Sequence, residues 1–262
     1  MSGKGAQLLA MVVAGEGYAL EVIGYSERGA VNALVYELKY RAPQLLAQLL
    51  SKALWPFTQG PDIRQETDIT VLVEQSLSDF GDADLIFLWE NPGTDSKGLI
   101  FCEVKRGTDW TLAKQWADFL TGVRDNDSRV CSNLFGQLYL KMSYVQAAKQ
   151  GVLEEGIALD PPFHKREGKA TRKIGSNPVV QRASNQISSH LSTVHYLIVA
   201  PEECGPGVTS VLETARQYKR APPYWDYSSA GYLSWPQIAA FAQEHGLRHF
   251  QRVLEHNQGQ VF

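Results

Sequence analysis

Cysteine is scarce in this sequence, with only Cys102, Cys131 and Cys204 among 262 residues. Their odd number and their spacings match neither a disulfide framework nor a cysteine-based zinc site. A reduced intracellular compartment is therefore expected. Neither sign of charge is in excess. The formal net charge is −3, so no global basic field advertises a nucleic-acid partner, although only the binding face itself must be positive. Long apolar runs are missing too, and none has the length of a membrane span. The stretch from Leu8 to Val13 resembles a short signal-peptide core but continues into strand-like alternation. A cytoplasmic protein with no membrane partner is expected. The chain has no Walker A sequence, no GxGxxG after a strand and no GxSxG elbow, which tells against ATPase, dehydrogenase and α/β-hydrolase chemistry. Internal repeats and low-complexity tracts are absent.

What is present suits a globular protein with a substantial core: 44% hydrophobic and 20% charged residues. Residues 7–25 read as two strands around Gly15-Glu16-Gly17. Ser26 is a good N-cap for a helix from about Glu27, in which Val31, Leu34, Val35 and Leu38 recur at helical spacing. A second helical stretch follows Pro43. Ile69, Val71 and Val73 alternate as in a strand, whereas Leu85–Trp89 and Leu99–Val104 are near-continuous apolar runs, as in strands covered on both faces. Helices are expected over 110–120 and 133–150 (the latter amphipathic), then around 179–190 and 235–245, with a strand over 195–200. This order predicts an α/β fold, a mixed central sheet flanked by helices, in a single domain spanning 1–262. Its core runs from about 27 to 200. Residues 156–178 read as a basic loop or insertion and 201–262 as a helical C-terminal extension.

The chemistry concentrates in Phe80–Gly107, FGDADLIFLWENPGTDSKGLIFCEVKRG. A strand carrying Asp84 turns at Asn91-Pro92-Gly93 and returns carrying Glu103 and Lys105. Residues two apart on a strand share a face, so Glu103 and Lys105 emerge together while Cys102 and Val104 face the other way. Asp82 and Asp84 likewise share a face, and the turn brings Asp84 near Glu103. An isolated ExK tripeptide is usually a surface ion pair. This one closes an apolar run that reads as a central strand, where charges are unwelcome, and Gly-Asp-Ala-Asp stands upstream. Two carboxylates offer hard oxygen ligands to magnesium or manganese, and a neighbouring lysine suits charge developing on phosphorus.

This arrangement resembles the PD-(D/E)XK nuclease superfamily, whose restriction-endonuclease-like core is a helix, a meander bearing Asp and then Glu-x-Lys, and a helix leading to another strand. The resemblance covers about residues 27–200. It implies catalytic Asp84, Glu103 and Lys105, with Asp84 and Glu103 as ligands of Mg2+, for which Mn2+ could substitute. Asp82 is the rival of Asp84. The literal Pro61-Asp62 sits one strand too early. Members often add a glutamate from the first core helix, and Glu27 fits that place ahead of Glu37, although a carboxylate in a first helical turn also favours the helix dipole. Gln137 resembles a glutamine that some lineages carry in the helix after the motif, but the aromatic expected four residues later is Lys141 here. A buried helix glutamine is the plain alternative.

His164–Lys173 holds five strong bases, Lys165, Arg166, Lys169, Arg172 and Lys173, and one acid. It reads either as a solvated loop or as a phosphate-contacting segment that releases counterions. Gln217–Trp235 interleaves aromatics with Lys219 and Arg220. Base stacking is one use of such a segment, and covering a core edge is the commoner one. His245 and His249 stand at i, i+4 without an HExxH pattern. The expectation is a Mg-dependent nuclease acting on DNA, with RNA and a homodimer both compatible. The alternatives are a catalytically inactive nucleic-acid-binding module of the same fold and a partner subunit whose carboxylates only form ion pairs.

Overall fold

A computed structural model describes residues 26–41, 43–164 and 169–259, leaving out the side chains of 26, 27 and 41. The strands expected within 7–25 lie outside the described residues. The chain forms helix α1 (Ser26–Arg41) and α2 (Gln44–Ser51), then strands β1 (Asp68–Ser76), β2 (Asp82–Glu90) and β3 (Lys97–Val104). Helices α3 (Leu112–Arg124) and α4 (Leu134–Gln150) follow, then a two-stranded hairpin of β4 (Ile157–Ala158) and β5 (Thr171–Arg172). Helix α5 (Pro178–Ser188), strand β6 (Val194–Ala200), helix α6 (Pro206–Arg216), strand β7 (Ala230–Ser234) and helices α7 (Trp235–Glu244) and α8 (Arg248–His256) complete it.

The central sheet has the order β1-β2-β3-β6-β7. Its first three strands form an antiparallel meander, and β6 and β7 add in parallel. This is a mixed sheet flanked by helices, an α/β architecture. Residues 201–262 are more than a helical extension, because they supply β7, the strand that completes the sheet. The five residues AGYLS are all buried, too few to show a period of two in the sequence.

Two apolar layers sandwich the sheet. Ile86, Leu88, Leu99 and Phe101 face a layer built by α3, α4, α5 and α6, rich in aromatic rings. Leu85, Phe87, Trp89, Ile100, Cys102 and Val104 face a layer built by α1, α2, α7 and α8. The apolar runs of β2 and β3 therefore arise because both of their faces are covered. Helix α4 corrects the amphipathic expectation: Leu134, Tyr139, Met142, Tyr144 and Ala147 are all buried, and so is Lys141 in their midst. Asn133 caps it by accepting the Phe135 N–H at 2.9 Å, and Gly151 ends it with φ +71°, the left-handed conformation glycine favours at a helix C-terminus. No helix among the described residues is long and apolar enough to cross a membrane.

Candidate functional site

The site forms where the meander comes apart. The β2–β3 ladder ends at Leu85↔Cys102, one step short of Asp84 and Glu103. On the other side, β1–β2 pairing runs to Val73↔Leu85 and resumes at Gln75↔Ala83, skipping Glu74 and Asp84. Glu74 has φ +49°, a sparse region for a non-glycine residue. Alternation along β2 slips here as well. Ala83 packs in the α4 layer and Leu85 in the α1 layer, although residues two apart should share a face. Asp84 thus sits at a defect in both ladders, the kind of local break that re-aims a side chain.

Asp84 Oδ2 accepts the backbone N–H of Val104 at 2.7 Å. A strand N–H points within the plane of its sheet, so this carboxylate lies in that plane, between the two faces and in the place of a ladder carbonyl. It borders a small cleft lined by Arg28, Asn32, Val73, Glu74 and Val104. In that cleft Arg28 stands 3.6 Å from Glu74, and the Asn32 amide donates to Glu74 at 3.4 Å.

Glu103 is only 1% exposed. Its Oε2 lies 3.8 Å from the Lys105 ammonium and its Oε1 lies 3.0 Å from the Lys141 ammonium, which is itself 1% exposed. Lys141 also donates to the Asp82 carbonyl at 2.5 Å. Neither oxygen of Glu103 has a well-aligned hydrogen-bond donor. Burial pushes the Glu103 carboxyl up, the Lys141 and Lys105 ammoniums pull it back down, and the Asp84 carboxylate pushes it up again. The two acids therefore sense each other. The backbone of Lys105 is pinned at both ends, its N–H donating to Val199 at 2.7 Å and its carbonyl accepting the Trp235 indole N–H at 2.8 Å. Gly81, with φ +79°, turns the chain into β2, and a Cβ there would stand 3.5 Å from the Lys141 ammonium.

The structure thus brings Glu103, Lys105 and Asp84 together at one end of the hairpin, and adds Lys141, which stands where the resembling lineages carry an aromatic. The signal was a lone cation inside the apolar helix run LFGQLYLKMSYV. Gln137 lies one turn before Lys141 on α4, and its side-chain oxygen is buried without a hydrogen-bond partner. Asp82 is exposed and contributes its carbonyl. The side chain of Glu27 lies outside the described residues. Glu37 is elsewhere: it is buried and accepts the N–H groups of His249 at 3.3 Å and Phe250 at 2.7 Å, at the start of α8. Asp62 is held at the opposite end of the hairpin by Asn91 and Arg64.

Lys165 and Arg166 lie outside the described residues, while Lys169 and Lys173 are exposed. Arg172 departs from the expectation of a phosphate contact. It is 6% exposed, and its guanidinium donates to the carbonyls of Phe163 at 2.6 Å, His164 at 3.0 Å and Asp79. Those bonds fasten the β4–β5 hairpin to the turn before β2. The Gly175 N–H donation to Ser78 Oγ at 2.7 Å reinforces them. The aromatics of 217–235 are core elements: Tyr227, Tyr232 and Trp235 are buried, and Trp225 stacks on Phe119 at 5.0 Å.

Comparison of the chain with family models, with curated proteins and with solved structures finds no match. The chemistry of the donor set suits a hard cation, because Asp84 and Glu103 are close enough to sense each other and the buried Glu103 oxygens face ammoniums with no backbone donor between them. Among the described residues no three His, Cys, Asp or Glu side chains converge, so a cation here would draw its remaining ligands from water and substrate, as magnesium commonly does.

Proposed function

We propose that this protein is a Mg-dependent nuclease that hydrolyses DNA phosphodiester bonds, with a restriction-endonuclease-like site of the PD-(D/E)XK kind. The observation that carries the reading is Glu103, a fully buried carboxylate at the end of a central strand. It lies beside Asp84 and faces two ammoniums rather than backbone donors. Burying ionised groups is costly, and a fold gains little stability from so many charges gathered at a sheet end. Asp84 and Glu103 would hold the cation, which when bound supplies Lewis-acid polarisation of a phosphoryl oxygen and charge neutralisation. Lys105, 17% exposed, reaches toward solvent and orients the nucleophile or offsets charge on the non-bridging oxygens. Lys141, sealed behind Glu103, is a positioning residue that aims the carboxylate. Lys169 and Lys173, on a hairpin riveted to the turn before β2, supply salt-sensitive attraction to the phosphate backbone.

The test is incubation of the purified chain with linear and circular DNA, and with single-stranded RNA, in Mg2+, Mn2+ or chelator. Cleavage that needs the metal and disappears in Glu103→Gln and Lys105→Ala supports the reading. Cleavage surviving in Glu103→Gln contradicts it. One observation favours a second reading: the Lys141–Glu103 pair balances charge without any metal. A non-cleaving nucleic-acid-binding module of the same fold would then show salt-dependent DNA binding with no metal-dependent cutting.

A further inference from the structure

We infer that the site takes one divalent cation per chain and not two, because the Lys141 ammonium fills the place a second cation would need. This inference rests on the metal-dependent reading above. Each acid already has one oxygen engaged by the protein. Asp84 Oδ2 receives the Val104 N–H at 2.7 Å, and Glu103 Oε1 faces the Lys141 ammonium at 3.0 Å. Asp84 Oδ1 is left for an ion, together with Glu103 Oε2, which faces the partly exposed Lys105 ammonium at the longer distance of 3.8 Å. Two-metal sites set their ions roughly 3.5–4 Å apart and need carboxylates enough to bind both. Here no third acid, histidine or cysteine converges among the described residues.

Lys141 is also held in place. Its ammonium donates to the Asp82 carbonyl at 2.5 Å, it projects from a helix buried on nearly every side, and it is 1% exposed. It has no solvent-facing position to swing to, in contrast to a surface lysine that would yield to an incoming ion. A second divalent ion at Glu103 Oε1 would stand within roughly 5 Å of a fixed positive charge, where repulsion is strong in a poorly hydrated site. The protein has thereby substituted a covalently tethered monovalent cation for an exchangeable divalent one.

Manganese titration of the whole chain tests this by calorimetry and by electron paramagnetic resonance, with and without a DNA duplex carrying non-cleavable linkages. The expected result is one bound equivalent with the spectrum of an isolated Mn2+ ion. Two equivalents, or an exchange-coupled pair, overturn the inference and leave the nuclease reading standing. No binding in either condition overturns the nuclease reading itself and the inference with it. In Lys141→Glu a third carboxylate replaces the ammonium, and a second equivalent is expected to bind. A folded Lys141→Glu protein that still binds one equivalent overturns the role given to Lys141. If that variant does not fold, the wild-type count decides alone.

Discussion

Two glutamates are buried on opposite sides of the same sheet, and their surroundings could hardly differ more. Glu37, on α1, lies 5% exposed and accepts two backbone N–H groups at the first turn of α8. A carboxylate there satisfies donors that the helix leaves without partners and meets the positive end of its dipole. Glu103, on β3, lies 1% exposed, and neither of its oxygens has a well-aligned donor. Two ammoniums face it, at 3.0 and 3.8 Å. The first arrangement ties two helices together. The second holds charge ready at a break in the sheet. Burial of an acid therefore says little about its role, whereas the identity of its partners says much.

The sharpest way to break this contrast is to remove the charge from Glu103. Glu103→Gln keeps the shape and loses a cation ligand, and DNA cleavage should fall by on the order of a thousandfold or more. Initial rates on plasmid DNA at saturating Mg2+ measure it. A fall of less than about tenfold would place Glu103 with Glu37 as a structural acid.

Lys141→Met tests the other half of the pair. Taking one partner from a buried ion pair costs about 3–5 kcal/mol, because the remaining charge is left uncompensated. Urea unfolding of Lys141→Met should show a loss of that size, and the double variant Lys141→Met with Glu103→Gln should recover most of it. If the single variant unfolds like the wild type, solvent already reaches the pair and the argument from burial fails.

The contrast also needs a control, since an orphaned buried atom does not by itself mark a site. His195 on β6 is 5% exposed, its Nδ1 has no partner, and it packs edge-on against Trp55 at 5.1 Å. Among the described residues no charged group shifts its titration. Burial lowers its pKa from 6.5 to about 4, so the folded state resists the proton that the unfolded chain accepts. The contribution is constant above the unfolded value of 6.5. Stability is lost as pH falls from there toward about 4, by roughly 3 kcal/mol in all. Comparing urea midpoints of the wild type and His195→Phe across that window isolates the effect. Equal slopes would mean that water reaches the ring.

Much of this was legible in the sequence, for physical reasons. Strands β2 and β3 are covered on both faces and so read as unbroken apolar runs. Asp84, Glu103 and Lys105 stood out as charges at the ends of those runs. Five elements escaped, two of them the two-residue strands β4 and β5 inside the stretch read as a basic loop. β7 is only five residues long and opens on Ala230-Gly231. Helix α6 opens on Pro206-Gly207, which reads as a loop. In α8 the apolar positions Phe250, Val253 and Leu254 keep helical spacing, but Gly246 and the flanking charges hid it. The break in alternation at Asp84 was invisible because it depends on the backbone of Glu74 in another strand. The roles of Lys141 and Arg172 were invisible because burial and partners are properties of the fold. Both residues read as ordinary cations until a carboxylate or a set of carbonyls, distant in sequence, closes around them.

The smallest effect is expected at Glu37, and it completes the comparison. Glu37→Gln keeps an acceptor oxygen for the Phe250 N–H but gives up the charge at the start of α8. Such a loss is worth about 1 kcal/mol, the scale of a helix cap or of a charge at a helix end. Urea unfolding should register that decrease, while cleavage per folded molecule stays within about twofold of the wild type, since Glu37 lies more than a helical turn further along α1 than Arg28 and Asn32, residues of that helix that line the cleft beside Asp84. The result would place two buried acids of one chain at opposite extremes, one dispensable to chemistry and the other to architecture. A Glu37→Gln protein that keeps its stability and loses cleavage would reverse those roles, and with them the rule that backbone partners mark a structural acid and ammonium partners a working one.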